Sequence, residues 1–146
     1  MNENHLFADI PVKALIEKDG KVLVMLGADD DHWQLPGGRV NDGELLEDAL
    51  KREIKEELNL NIEPNGVLDA FIFKSVSGKA HVVIIYRCGV LNDISNMKFN
   101  DGETKEVRWI SGKDIASLKM RDGYKEALVK YFAFEPLLLK RLKRRK

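Results

Sequence analysis

The amino-acid sequence predicts an α+β fold in which helices are layered against a mixed β-sheet. Runs rich in Val, Ile and Phe dominate the middle of the chain, one helical segment precedes them and another follows them. This order of strands and helices is typical of an α+β or layered αβα arrangement. The 146 residues are enough for one domain with its own hydrophobic core.

The first predicted elements form a β-hairpin and a short strand. Residues 10–16 alternate as a strand, Asp19 and Gly20 give a turn signal, and residues 21–26 return as a second strand. A short strand at residues 33–35 then stops at a Pro-Gly-Gly sequence.

A helix is predicted over residues 44–58 by its apolar periodicity. The apolar stripe consists of Leu46, Leu50, Ile54 and Leu58. Asn41 or Asp42 is expected to help cap the start of this helix. Asn59 is expected just past its end, because asparagine tolerates the left-handed conformation better than most residues.

The second half of the chain predicts a second hairpin, a further strand and two helices. The predicted strands are 67–75, 80–90 and 106–110, and the predicted helices are 112–118 and 123–132. Ser77 and Gly78 form the turn of the second hairpin. The packing face of the last helix consists of Tyr124, Leu128, Tyr131 and Phe132.

Charge is distributed unevenly along the chain although its total is balanced. The chain has 24 basic and 24 acidic residues, but residues 140–146 hold six of the basic ones and no acid. We therefore predict a single domain over residues 1–139 and a basic tail over residues 140–146. The domain alone has an excess of acids, so it needs cations to bind phosphates.

Cysteine content and hydropathy predict a cytoplasmic protein. Cys88 is the single cysteine, so an internal disulfide is excluded. The first residues lack a signal-peptide pattern, and no apolar run approaches the ~20 residues that span a bilayer. We therefore expect no membrane partner.

Three glutamates are predicted to share one face of the first helix. Glu53, Glu56 and Glu57 are spaced i, i+3 and i+4, beside the apolar stripe and not within it. Clustered like charges destabilise a helix, so a cation is expected to offset their repulsion. Oxygen ligands suit a hard ion such as magnesium, or manganese in its place. Taken alone, the cluster is more typical of a solvated helix face with ion pairs than of a metal site.

Neighbouring residues are expected to support the cluster. Arg52 can hold a carboxylate in one rotamer through a two-point contact. Glu44 carries its negative charge where the helix dipole favours it, and it can also bond back into the preceding loop. Gly37 and Gly38 permit close backbone approach to an ion or a phosphate.

The segment from Gly38 to Leu60 resembles the signature of the Nudix hydrolases, the MutT-like phosphohydrolases. That signature reads G-x5-E-x7-R-E-U-x-E-E-x-G-U, where U is a bulky apolar residue. The matching residues are Gly38, Glu44, Arg52, Glu53, Ile54, Glu56, Glu57 and Leu60. Asn59 replaces the last glycine, and asparagine is among the residues that most readily adopt positive φ. The resemblance implies an αβα sandwich with a mixed sheet, in which the motif is a loop–helix–loop.

The resemblance also implies a reaction and a set of site residues. Water attacks one phosphorus of a pyrophosphate linkage in a nucleoside diphosphate derivative, with Mg²⁺ as the cofactor and Mn²⁺ as its substitute. The implied metal ligands are Glu53, Glu56, Glu57, the Gly37 carbonyl and Glu103.

Each of these residues has an implied role. Glu53 is a ligand or the group that orients the water, Arg52 positions a carboxylate, and Glu44 stabilises the loop–helix junction. Glu103, from a later loop, is a ligand or the general base, with Glu106 as the alternative. The implied substrate-binding residues are Arg39 and Gly38.

The motif leaves the substrate and some alternatives open. Candidate substrates are a nucleoside triphosphate, a nucleotide sugar and a dinucleoside polyphosphate. One alternative is a non-catalytic nucleotide-binding module, although such modules usually lose motif acids that this chain keeps. Another is an RNA 5′-end pyrophosphohydrolase that binds nucleic acid through the basic tail, which is not favoured. A monomer or a homodimer is expected.

Other polar and aromatic residues are predicted to be structural. His5, His32 and His81 are scattered without ligand spacing, and residues 29–31 form an acidic, solvated loop that lacks the pattern of a calcium site. Strand aromatics are expected in the core, with base stacking as the alternative for one of them; they are Phe71, Phe73 and Tyr86.

Overall fold

Residues 4–144, which the computed structural model describes, form eight strands, two α-helices and two short 3₁₀ helices. Side chains are described for residues 4–134. The strands are β1 (Ala8–Asp9), β2 (Pro11–Lys18), β3 (Lys21–Gly27), β4 (Trp33–Gln34), β5 (Gly37–Arg39), β6 (Ile62–Lys74), β7 (Ala80–Val90) and β8 (Thr104–Ile110). The α-helices are α1 (Leu46–Leu58) and α2 (Tyr124–Arg144), and the 3₁₀ helices span Ile94–Asn96 and Gly112–Ser117.

The strands form one mixed sheet, as predicted. The central order is β1-β7-β2-β3-β4, with β6 beside β7, β5 beside β2 and β8 beside β3. β7 is parallel to β1 and β2, and the other pairs are antiparallel. β6 and β7 form the predicted second hairpin.

The β2–β3 hairpin opens away from its turn. Asp19 and Gly20 both have positive φ, 53° and 78°, which suits a two-residue hairpin turn. β2 pairs with β3 at Glu17 and Lys18, beside that turn. Farther along, β2 pairs with β5 and β7, while β3 pairs with β8. The two strands therefore diverge, and a cleft lies between them.

Two buried clusters pack on opposite faces of the sheet, which gives the predicted αβα layering. Alternate residues of β2 divide between them: Val12 and Ala14 join the cluster that contains α1, and Leu15 joins the cluster that contains α2. The buried helix residues are Ala49, Leu50, Ile54 and Leu58 of α1, and Tyr124, Ala127 and Leu128 of α2. Each fully buried leucine stabilises the fold by about 1.5–3 kcal/mol, so the apolar stripe anchors α1 to the sheet.

Helix α1 begins later than predicted. The prediction started it at Glu44, but it starts two residues later, and its N-cap residue Leu45 makes no side-chain capping bond. The prediction that Asn41 or Asp42 caps the helix was therefore wrong. Glu44 lies instead in the loop, because its carboxylate accepts a hydrogen bond from the Asn41 backbone N–H at 2.8 Å.

The end of α1 is confirmed, whereas β6 starts earlier than predicted. Asn59 has a φ of 56° and donates its backbone N–H to the Lys55 carbonyl. β6 begins at Ile62 and not at residue 67, because irregularities on both sides of Val67 break the alternation that the prediction followed.

The last helix is longer than predicted and continues to Arg144. The side chains of the predicted basic tail, residues 140–146, lie outside the described side chains, so its role and the boundary at residue 139 stay predictions. Among the described residues, no helix has the length and apolar character needed to cross a membrane.

Candidate active site

A cleft of about 240 Å³ lies where β2 and β3 diverge, and we call it the acidic cleft. Four glutamates line it: Glu53, Glu56 and Glu57 of α1, and Glu103 of the turn before β8. The other lining residues are Lys13, Met25, Gly27, Gln34, Leu35, Gly37 and Thr104. Glu106 lies outside this lining and pairs with Arg108 at 2.8 Å. The structure thus brings the helix acids together with Glu103 and not with Glu106.

Arg52 holds the acids of the motif in place. Its Nε and Nη2 donate to the two carboxylate oxygens of Glu44 at 2.7 and 2.8 Å, which is a two-point contact. Its Nη1 donates to Glu53 at 3.0 Å and to Glu56 at 3.3 Å. Hydrogen bonds from Arg52 and from the Asn41 backbone N–H lower the pKa of Glu44 to about 2. Arg52 therefore links an ionised loop acid to the carboxylates of the cleft.

Burial alters the ionisation of Glu57. Its Oε1 accepts a hydrogen bond from the Gly37 backbone N–H at 3.4 Å. Burial raises the pKa of Glu57 to about 7, Lys13 and the Gly37 N–H oppose this rise, and repulsion from Glu53 and Glu103 adds to it. A carboxylate in this state binds a proton near neutral pH unless a cation replaces that proton. The all-oxygen donor set fits a hard divalent ion.

Two glycines bring the loop backbone close to the cleft. Gly37 has a φ of 141°, and a Cβ atom there would lie 2.0 Å from the Val12 carbonyl oxygen. A Cβ atom on Gly38 would lie 2.4 Å from the carboxylate of Glu53. Neither position accepts a side chain without movement, so both glycines are required for this close approach.

A second group of acids lies in the loop before β4. Among the described side chains, the ligand atoms of Asp30, Asp31 and His32 all lie within 4.8 Å of one another. The carboxylate oxygens of Glu53, Glu56 and Glu57 do not form a group of this kind. Arg121 pairs with Asp30 at 3.2 Å and Lys119 pairs with Asp31 at 2.7 Å, so cations of the chain already neutralise both acids. Asp29 and Asp31 are exposed, as predicted for a solvated loop, whereas the Asp30 side chain is 19% exposed. These ion pairs favour a structural role for the group.

A cavity of about 410 Å³ adjoins the acidic cleft, and the two share Lys13 and Gln34. Its other lining residues are Pro11, Gly38, Arg39, Phe73, Ser75, His81, Arg121 and Tyr124. We call it the basic pocket, because Lys13, Arg39 and Arg121 contribute cationic side chains to it. Both residues predicted to bind substrate, Gly38 and Arg39, line it.

Phe73 and His81 contribute an aromatic wall to the basic pocket. Their rings stack with centroids 4.6 Å apart. Nδ1 of His81 bonds to Asp9, which also pairs with Arg39 at 3.4 Å and with Lys79 at 3.1 Å. This network holds the wall in position beside the pocket.

Comparison with known proteins identifies the family. The model of the NUDIX domain matches residues 10–131, which is most of the chain. The chain belongs to the Nudix family. This Nudix hydrolase is similar to the nucleoside triphosphatase NudI of Escherichia fergusonii, with 51% identity over 129 residues, or 78% of this chain and 89% of that protein.

Solved structures share the Nudix fold. A MutT NUDIX hydrolase from Burkholderia pseudomallei matches with a TM-score of 0.74 and 22% identity, over 84% of this chain and 97% of that chain. The MutT protein from Methanosarcina mazei Go1 matches with a TM-score of 0.72 and 26% identity, over 88% and 95%. The predicted αβα fold is therefore confirmed.

Several residues around this Nudix cleft were missed by sequence reasoning. They are Lys13, Gln34, His81, Arg121 and Tyr124. Lys13 carried a signal, because it lies within six consecutive buried residues of β2, where lysine is unusual. The other four reach the site from separate elements of the fold, so no local pattern marked them.

Proposed function

We propose that this Nudix hydrolase cleaves a phosphoanhydride bond of a nucleoside diphosphate derivative, with nucleoside triphosphates as the first substrates to test. The observation that carries the proposal is the acidic cleft, in which a half-buried Glu57 lies beside Glu53 and Glu103. The similarity to the nucleoside triphosphatase NudI of Escherichia fergusonii supports the choice of substrate. The adjoining basic pocket, with cationic and aromatic side chains, suits the remainder of a nucleotide.

Divalent cations are proposed to bind in the acidic cleft. Nudix hydrolases generally use divalent metals. The residues that would hold Mg²⁺ or Mn²⁺ are Glu53, Glu56, Glu57, Glu103 and the Gly37 carbonyl. When bound, such ions neutralise phosphate charge and lower the pKa of a coordinated water. The fit rests on the chemistry of the cleft, since clustered carboxylates that repel one another are stabilised by a cation.

Arg52, Gly38 and Glu103 are proposed to have separate roles in the site. Arg52 orients Glu53 and Glu56, because its guanidinium donates to both. Gly38 leaves the Glu53 carboxylate room to approach the loop backbone. Glu103 comes from a different element than the helix acids, and it either binds an ion or accepts a proton from the attacking water.

A substrate panel assayed with Mg²⁺ and with Mn²⁺ tests the proposal. The panel contains nucleoside triphosphates, nucleotide sugars and dinucleoside polyphosphates, and chromatography identifies the products. We expect cleavage of one class, and only with a divalent ion present. Glu57→Gln is expected to reduce kcat by roughly 100-fold or more, because a lost metal ligand removes several kcal/mol of transition-state stabilisation. A wild-type protein that binds a nucleotide of the panel but cleaves none would instead indicate a non-catalytic binding module.

A further inference from the structure

Lys13 is a buried cation at the junction of the two cavities. Its side chain is 7% exposed, and it lies in β2 among apolar residues of the core. It lines both the acidic cleft and the basic pocket. Gln34, which also lines both, accepts a hydrogen bond from the Lys13 ammonium at 3.4 Å.

The Lys13 ammonium has hydrogen-bonding capacity left over. An ammonium has three donors, and within the described part of the chain the long contact with Gln34 is the one hydrogen bond it makes. Glu57 and Glu53 act on it electrostatically, but neither forms an ion pair with it within 4.0 Å. A buried ammonium with unused donors is unfavourable unless neighbouring acids or a ligand stabilise it, and a ligand can also complete its hydrogen bonds.

Tyr124 gives a second sign that a polar ligand binds here. Its side chain is 1% exposed and lines the basic pocket. Its hydroxyl has no hydrogen-bond partner among the residues with described side chains, although buried tyrosine hydroxyls usually have one. Arg121, another cation of the pocket, is already paired with Asp30. Lys13, in contrast, has donors available for a ligand.

We propose that the Lys13 ammonium binds a phosphate oxygen of the substrate where the acidic cleft meets the basic pocket. This inference rests on the proposed function, which places a diphosphate between the two cavities. An anion suits the position, because an ammonium donates hydrogen bonds and accepts none. Lys13 adds a positive charge to a cleft that is otherwise lined by acids, and this charge compensates part of the phosphate charge. The competing role is that of a structural counter-charge for Glu57, which requires no ligand.

Binding of methylenediphosphonate, an uncleavable analogue of pyrophosphate, tests this contact in the presence of Mn²⁺. Calorimetry compares the wild type with Lys13→Met and with the control Lys130→Met. Lys130 is an exposed lysine of α2, paired with Asp69 at 3.3 Å, so its substitution removes the same charge away from both cavities. We expect Lys13→Met to weaken binding roughly tenfold to a hundredfold, as for the loss of a hydrogen bond to a charged group. Equal affinities of the two variants, or no binding to the wild type, would overturn the proposal.

Mn²⁺ binding without the diphosphonate separates a ligand contact from a structural role. Removing a cation from among carboxylates is not expected to weaken Mn²⁺ binding if the cleft keeps its shape. A parallel loss of Mn²⁺ affinity in Lys13→Met would assign Lys13 to the structure and refute the contact. Lys13→Gln is the second variant, since a polar side chain preserves folding more readily at this junction. If the proposal is correct, Lys13→Gln loses diphosphonate affinity as Lys13→Met does, while its thermal unfolding curve matches that of the wild type.

The outcomes distinguish this contact from the proposed function. A wild type that binds methylenediphosphonate through Lys13 but cleaves no nucleotide of the panel would refute hydrolysis and leave the contact standing. A wild type that cleaves a nucleotide, while Lys13→Met binds the analogue with wild-type affinity, would refute the contact alone.

Discussion

Glu57→Gln tests the electrostatics of the acidic cleft without any substrate. Burial raises the pKa of Glu57 to about 7 from an ordinary value of 4.5, so the folded protein binds this proton more tightly than the unfolded chain does. The resulting stabilisation is complete below pH 4.5 and is lost as the pH rises through about 7. At about 1.4 kcal/mol per pKa unit, the loss amounts to ~3 kcal/mol.

Glutamine does not titrate, so the free energy of unfolding of Glu57→Gln does not include this pH-dependent loss. In EDTA, we expect the wild-type free energy of unfolding to fall between about pH 5 and 8 relative to that of Glu57→Gln, by up to ~3 kcal/mol. Urea unfolding curves at a series of pH values measure the difference. Glu56→Gln is the matched control, because it removes a carboxylate from the same helix face that also touches Arg52 but is 62% exposed.

Parallel pH curves for the wild type and Glu57→Gln would refute this reasoning, because they would show a Glu57 with ordinary ionisation. Magnesium provides the complementary measurement. Added Mg²⁺ is expected to stabilise the wild type more than the variant, since an ion stabilises the folded protein in proportion to its binding.

Three further substitutions test other parts of the site. Glu103→Gln is expected to lower kcat roughly tenfold or more in steady-state assays, whereas Glu106→Gln, outside the cleft, keeps the wild-type kcat; similar losses in both would contradict the placement. Arg52→Lys loses the two-point contact with the loop acid and is expected to lower kcat roughly tenfold, a result that unchanged kinetics would exclude. Gly38→Ala forces the Glu53 carboxylate aside and is expected to weaken Mn²⁺ binding in calorimetry with little loss of stability, because the clash is with the end of a flexible side chain.

Sequence reasoning located the parts of the site that lie close together along the chain. The spacing of Glu53, Glu56 and Glu57 fixes their directions on a helix, so their shared face followed from the sequence alone. Lys13 and Gln34 join them from strands far away in the chain, and only the paths of β2 and β4 bring them to the cleft.

Boundaries were predicted less well where side chains override local pattern. The prediction placed Glu44 inside α1, because the helix dipole favours a negative charge there. In the structure, Arg52 and the Asn41 N–H bond to its carboxylate and hold it in the loop, and these contacts cannot be read from the apolar periodicity. Strand β1 was not predicted because its two residues, Ala8 and Asp9, are too short for any alternation, and pairing with β7 alone defines them.

The divergence of β2 from β3 also has a mechanical consequence. Lys13 lies in β2 and Gly37 in β5 on one wall of the acidic cleft, and Met25 and Gly27 of β3 lie on the other. A ligand that contacts both walls reduces the motion of β3 relative to β2. Amides of β3 and β8 that never touch the ligand would then exchange with deuterium more slowly when it is bound, so occupancy can be observed along the far edge of the sheet.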